Sequence, residues 1–182
     1  MTRRHNHYEA AFEAFLREHA VPYVAVDEAK RAKLGSKSLK SLDFIVSPAA
    51  LTQRWLVDVK GRRFGSTSAA TARRAQAWKN WITRDDIESM AHWQKLFGGD
   101  FLPLLVFVYD VVDDVAPLPT HELFRFRRRL YAPVAIRFDH YASAARVISP
   151  KWGTCAMPAD RFRELAQPLT HFLGIPATLQ AG

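Results

Sequence analysis

The chain has 182 residues and a formal charge of +8, from 26 Lys and Arg against 18 Asp and Glu. With 48% apolar and 12% aromatic residues it has material for a packed core, which excludes a disordered, fibrous or repeat protein. The longest nearly unbroken apolar run, Phe101 to Tyr109, falls short of the ~18 residues a spanning helix needs, and a single cysteine, Cys155, excludes a disulfide framework or a cysteine-based zinc site. The N-terminal charges precede no apolar segment of the secretory kind, so the cytoplasm is the expected compartment.

In chain order, Asn6 caps an expected helix with Tyr8, Phe12, Phe15, Leu16 and His19 on one stripe, and Pro22 ends it. Tyr23 to Val26 reads as a short strand and Asp27 to Lys40 as a polar, basic loop. Strands are expected over Ser41 to Val46 and Arg54 to Val59, then a small-residue basic connection over Gly65 to Ala75. Thr83 caps a helix over Asp85 to Phe97 that stops at Gly98-Gly99. A buried strand follows over Phe101 to Val112, then a hairpin of Leu123 to Arg127 with Leu130 to Phe138. The C-terminal part reads as a helix over Tyr141 to Ile148, a strand over Gly153 to Met157, and an amphipathic helix over Ala159 to Leu173 kinked at Pro168.

The positive charge is clustered. Lys60 to Arg84 holds seven Lys or Arg and no acid, Phe124 to Phe138 five arginines and no acid, and Lys30 to Lys40 five basic residues. Such a field favours polyanions such as nucleic acid or anionic lipid. A basic membrane-surface protein would need a basic amphipathic helix or a lipidation signal, and neither is evident.

Two acids stand inside apolar strands: Asp43 in Leu42-Asp43-Phe44-Ile45-Val46, and Asp58 in Trp55-Leu56-Val57-Asp58-Val59-Lys60. Side chains alternate along a strand, so Asp58 and Lys60 share one face while Trp55, Val57 and Val59 share the other, expected to be the core face. A carboxylate is disfavoured in a strand and, if buried, needs a partner. A divalent cation is one such partner. Hard Mg²⁺ takes one or two carboxylates and keeps several waters, so Asp43, Asp58 and the Val59 carbonyl form a candidate metal shell with Lys60 beside it.

Asp43, fourteen residues, then Asp58-Val59-Lys60 resembles the PD-(D/E)XK nuclease superfamily, with Leu42 at the motif's proline. The bare acid-x-Lys string also occurs at Glu28-Ala29-Lys30, but in a polar loop with no strand-borne Asp ahead of it. The superfamily carries an acid on its first helix, for which Glu9 and Glu13 compete. With Tyr8 at zero, the apolar stripe spans about −20° to 80°, Glu9 falls at about 100° and Glu13 at about 140°. Glu9 therefore borders the buried stripe and is the candidate; the alternative is that it serves as the N3 glutamate of a capping box with Asn6. The loop Gly35-Ser36-Lys37-Ser38-Leu39-Lys40, the helix ending at Phe97 and the strand from Phe101 resemble archaeal-type Holliday junction resolvases in layout, over roughly Asn6 to Asp110.

The resemblance implies an α/β (α+β) fold with a restriction-endonuclease-like core, a mixed central sheet flanked by helices. It implies a single domain over 1–182, with the core at about 6–110 and a mixed C-terminal extension at about 111–182. The implied activity is a metal-dependent phosphodiesterase acting on DNA, with RNA left open. Its catalytic residues would be Glu9, Asp43, Asp58 and Lys60, and its Mg²⁺ or Mn²⁺ ligands Asp43, Asp58, the Val59 carbonyl and Glu9. Lys60 is either a charged stabiliser of the transition state or, if neutral, a base. Expected nucleic-acid contacts are Lys30, Arg31, Lys33, Ser36, Lys37, Ser38, Lys40, Arg62, Arg63, Arg73 and Arg74, with Gln76 as an additional candidate. No membrane partner is expected, and a homodimer is left open. The alternative function is a non-catalytic nucleic-acid-binding module on the same fold, although a binder has no use for acids that repel phosphate.

Other residues carry weaker signals. His5, His7 and His19 do not form a metal pattern, and Cys155 reads as a small core residue. Trp78 and Trp81 either pack against the sheet or stack on unpaired bases. Arg127-Arg128-Arg129 reads as a hairpin tip, either solvated or clamping phosphate.

Overall fold

The computed structural model describes residues 6–26, 40–65, 78–112 and 115–176, and the backbone of 33–34 and 37–38. Helix α1 (His7–Glu18) starts where the Asn6 side chain accepts the Tyr8 N–H at 3.0 Å, which satisfies one of the orphan donors of the first turn. It buries Ala11, Phe12, Phe15 and Leu16. It stops at His19, followed by Ala20 in the left-handed region at φ 51° and then by Pro22.

Four short strands follow: β1 (Tyr23–Ala25), β2 (Lys33–Leu34), β3 (Lys37–Ser38) and β4 (Phe44–Val46). β2 and β3 form a two-stranded hairpin inside the segment expected to be loop. The long strand β5 (Arg54–Phe64) pairs antiparallel with β4 and parallel with β7 (Phe101–Val111), the latter over eleven residue pairs. Parallel neighbours need a long crossover. Here it contains β6 (Ile82–Thr83) and helix α2 (Arg84–Phe97). Helix, antiparallel strand pair, crossover helix and parallel strand make the expected mixed central sheet flanked by helices.

The chain after Val111 completes that sheet. A short 3₁₀ turn (Thr120–Glu122) leads to the hairpin of β8 (Phe124–Phe126) and β9 (Arg129–Arg137), and β9 lies antiparallel beside β7. The two-residue turn holds Arg127 and Arg128 at φ 45° and 63°, the left-handed pair that a type I′ hairpin requires.

Two expected elements differ. The helix expected over 141–148 is instead α3 (Phe138–Ala144) followed by strand β10 (Arg146–Ser149), which pairs with β11 (Thr154–Ala156) and through it with β6. Val147 and Ile148 are β-branched and follow strand preference once a partner is at hand. The single helix expected over 159–173 is split into α4 (Ala159–Leu165) and α5 (Leu169–Leu173). Between them β12 (Gln167–Pro168) joins the sheet edge against β9, a position where a proline's missing N–H is tolerated.

The sheet separates two apolar layers. On one side α1 and α5 cover Phe44, Val46, Trp55, Val57, Val59, Leu104 and Val106. On the other α2, α3 and α4 bring Met90, Phe138, Tyr141 and Phe162 against Leu56, Phe64, Leu105 and Phe107. No helix among the described residues is long and apolar enough to cross a membrane.

Candidate active site

The site exists because β4 is short and β5 is long: three residues against eleven. Asp43, just before β4, donates its N–H to the Val57 carbonyl at 3.0 Å and accepts the Val59 N–H on Oδ2 at 2.6 Å. A carboxylate thus takes the place of the next ladder carbonyl. In a strand, the N–H and C=O of one residue face the same edge, and residues i and i+2 share that edge. The Val59 carbonyl accordingly faces the gap beyond the end of β4.

That gap is a cleft of about 290 Å³ lined by Glu9, Asp43, Asp58, Val59, Lys60 and Asp86, with Lys40, Ser89 and Trp93 at its side. Asp43 and Asp58 lie on the face covered by α2. Glu9 comes from α1 on the opposite face and reaches the cleft past the end of β4. Glu9, Asp43 and Asp58 are all buried to within a tenth of full exposure. Glu13 lies elsewhere, bound to Arg17 at 2.8 Å and accepting the Tyr23 hydroxyl at 2.9 Å.

Opposite charges alternate through the cleft. Lys60 Nζ is 2.8 Å from Asp58 and 3.1 Å from Asp86, and Asp86 is 2.8 Å from Lys40. Asp86 is the N3 residue of α2. It forms a capping box with Thr83, accepting the Thr83 N–H at 2.7 Å and donating its own N–H to Thr83 Oγ1 at 3.2 Å. Helix α2 also anchors the strand approach: Ser89 Oγ accepts the Lys40 N–H, and Trp93 Nε1 donates to the Lys40 carbonyl at 2.8 Å.

Burial pushes the Asp58 carboxyl up and the charge of Asp86 adds to this, outweighing the pull of Lys60. Burial alone would lower Lys60, but Asp58 and Asp86 overcome it and raise the ammonium's pKa. Burial would likewise raise Asp86. Lys60, Lys40 and Thr83 instead hold it well below the usual carboxylate range.

Among the described residues no group of three or more His, Cys, Asp and Glu is assembled as a metal cluster. The available donors are the Asp43 and Asp58 carboxylates and the Val59 carbonyl, with Glu9 in the same lining. All are hard oxygens, the type and number from which Mg²⁺ or Mn²⁺ is held while keeping waters. The burial that disfavours charge on Asp58 is the cost such a cation would offset, so the residues fit the group by donor chemistry.

The expected nucleic-acid contacts separate. Arg62 and Arg63 are consecutive in β5 and so lie on opposite faces of the sheet. Arg62 is on the face of Asp58 and Lys60, its guanidinium 3.9 Å over the Trp81 ring, donating to the Gly61 carbonyl at 2.7 Å and to the Trp81 carbonyl. Lys40 is engaged with Asp86. For Lys33, Lys37 and Ser38 only the backbone is described, and Lys30, Arg31, Ser36, Arg73, Arg74 and Gln76 lie outside the described residues. Trp78 packs against Phe64, Tyr109 and Phe162, whereas Trp81 is 41% exposed. Cys155 is buried.

Asp86 is the site residue that the sequence reading passed over. Thr83 and Asp86 have capping-box spacing, and that signal reports a helix start. Its proximity to Lys60 depends on where α2 docks.

No family model matches this chain, and no curated protein matches it either. Among solved structures the chain is similar to Hjc, a Holliday junction resolvase from the archaeal hyperthermophile Archaeoglobus fulgidus. The two share 12% identity over 69% of this chain and 84% of that one, with a TM-score of 0.36.

Proposed function

We propose that this chain is a divalent-metal-dependent nuclease that hydrolyses phosphodiester bonds of DNA. The observation that carries the reading is the convergence of Glu9, Asp43, Asp58 and Lys60 on one cleft where a short strand exposes the end of its longer neighbour. Three buried acids converge there in a chain of charge +8, and a cation bound among them would stabilise their charged forms.

In this reading Asp43, Asp58 and the Val59 carbonyl hold Mg²⁺ or Mn²⁺, with Glu9 as a further ligand or orienting a water. A cation bound there supplies a water of lowered pKa and neutralises charge on the phosphoryl oxygens. Lys60, flanked by acids on two sides, is placed to stabilise charge that develops on the phosphate. Asp86 is a positioning residue: it fixes Lys60 at the mouth of the cleft and is itself fixed by Thr83. Basic groups outside the cleft supply phosphate contacts, and binding through them weakens steeply with salt. Because β9 lies within the central sheet, we take 1–182 as one domain.

The test is cleavage of four-way, flapped, single-stranded and linear duplex DNA with and without Mg²⁺ or Mn²⁺. Metal-dependent cutting that is lost in Asp58→Asn, with DNA binding retained, is the expected result. Salt-sensitive binding without cutting under either metal would make the chain a binding module. Affinity that is flat between low and moderate salt would count against any nucleic-acid role.

A further inference from the structure

A second recess continues from the acidic cleft and shares Lys40, Val59, Lys60 and Asp86 with it. Its other walls include Tyr8, Gly61, Arg62 and Trp81. Trp81 is 41% exposed even though Ile82, the next residue, is fully buried. One ring face is covered by the Arg62 guanidinium at 3.9 Å. That guanidinium is held by the Gly61 and Trp81 carbonyls, and its buried Nε has no hydrogen-bond partner among the described residues.

We infer that the Arg62–Trp81 pair is a stacking platform for one unpaired base of the nucleic acid whose phosphate lies at Lys60. This rests on the nuclease reading and narrows its substrate to DNA with an unstacked nucleotide, such as an overhang, flap, gap or opened junction strand. Three features carry it. Lys60 and Arg62 are two residues apart on the same face of β5, about 6.6 Å along the strand, so a phosphate and an adjoining base can be engaged together. Arg62 is spent on holding the ring rather than reaching into solvent, so the aromatic surface is pre-oriented and loses little freedom on binding. A base inside a duplex already has neighbours on both faces, so an open indole selects a base that lacks one. Base–aromatic stacking is tolerant of sequence, so the platform reads strand structure and not base identity.

The experiment uses the full chain carrying Asp58→Asn, without metal, so that binding is measured in the absence of cutting. The probes are a blunt duplex and the same duplex with a 5′ or a 3′ overhang, with 2-aminopurine at the first unpaired position. One overhang polarity is expected to bind about tenfold tighter than the blunt duplex, with quenching of 2-aminopurine. Trp81→Leu, which keeps bulk without a π face, is expected to bring the affinity ratio near one and remove the quench. Trp81→Phe is expected to retain most of both, which separates stacking from a loss of fold. Equal affinity for all three probes, or quenching that persists in Trp81→Leu, overturns the platform. The two readings fail separately: wild type that cuts but shows no overhang preference removes only the platform, whereas overhang preference without metal-dependent cutting removes only the nuclease.

Discussion

Two neighbouring strands each bury a carboxylate, and the two have opposite fates. Asp110 on β7 is 5% exposed and lies on the α1 face of the sheet. Among the described residues it pairs with the guanidinium of Arg129 at 2.6 Å from the adjacent strand β9, with the Arg129 side chain half in solvent. Asp58 on β5 is similarly buried, but on the other face and at the wall of a cleft. Its cation, Lys60, is shared with Asp86, which also meets Lys40, and the cleft lining carries four acids, Glu9, Asp43, Asp58 and Asp86, against these two lysines. A buried acid in a strand is therefore no signal of chemistry by itself. What distinguishes Asp58 is its place in a cleft lined by four acids and two lysines, whereas Asp110 pairs with Arg129 and serves as a lock between strands.

The largest expected effect breaks that symmetry directly. Asp58→Asn is expected to lower metal-dependent cleavage by roughly a thousandfold, ~4 kcal/mol of transition-state stabilisation, with little change in urea stability. Asp110→Asn is expected to do the reverse, losing about 1–2 kcal/mol of stability through a weakened charge-assisted bond while cleavage stays within about twofold. Equal losses of activity in both variants would erase the distinction.

Asp86→Asn tests the crowding of charge around Lys60. Removing one acid from a buried network is expected to cost about 3 kcal/mol and to lower cleavage as Lys60 loses its second anchor. The pH dependence carries a sign. Asp86 is held below its usual 3.8, so its stabilisation is present above that pH and lost as pH falls below it. Asp58 is raised above 3.8, so its contribution has the opposite sense, present at low pH and lost as pH rises through its folded value. Thermal melts from pH 7 to pH 3 should therefore fall less steeply in Asp86→Asn than in wild type. A parallel fall would remove the network from the account.

Gly61 lets α1 approach β5 beside the cleft: a Cβ there would lie 2.0 Å from Tyr8 Cδ2. Gly61→Ala is expected to push back the first turn of α1, costing about 2 kcal/mol as overpacking does, and to displace Glu9 with it. Activity assayed well below the melting temperature should drop even where the chain remains folded. The smallest effect belongs to Glu9 itself. Glu9→Gln is expected to reduce cleavage about tenfold, since the amide oxygen can still meet a cation or a water without the charge, and Glu13→Gln to leave it within about twofold.

What was legible in the sequence was local. Asp58 and Lys60 share a face, and Trp55, Val57 and Val59 take the core, because alternation is a property of the extended chain itself. Asn6 and Thr83 mark helix starts because a cap satisfies donors within three residues. The mixed sheet with flanking helices was legible for the same reason, as a succession of locally patterned elements. The rest depended on partners far away in sequence. Pro168 was expected to kink one helix, and instead Gln167 and Pro168 found an edge against β9 more than thirty residues earlier. Trp78 and Trp81 are three residues apart in the same basic stretch, and only packing laid one, half-buried, against the core and left the other 41% exposed. Asp86 carries the signature of a cap, and the docking of α2 against β5 turned that cap into the second anion around Lys60. Alternation and capping are set by covalent neighbours, so sequence determines them. Which charges share a low-dielectric cleft depends on how elements dock, and that only the tertiary structure decides.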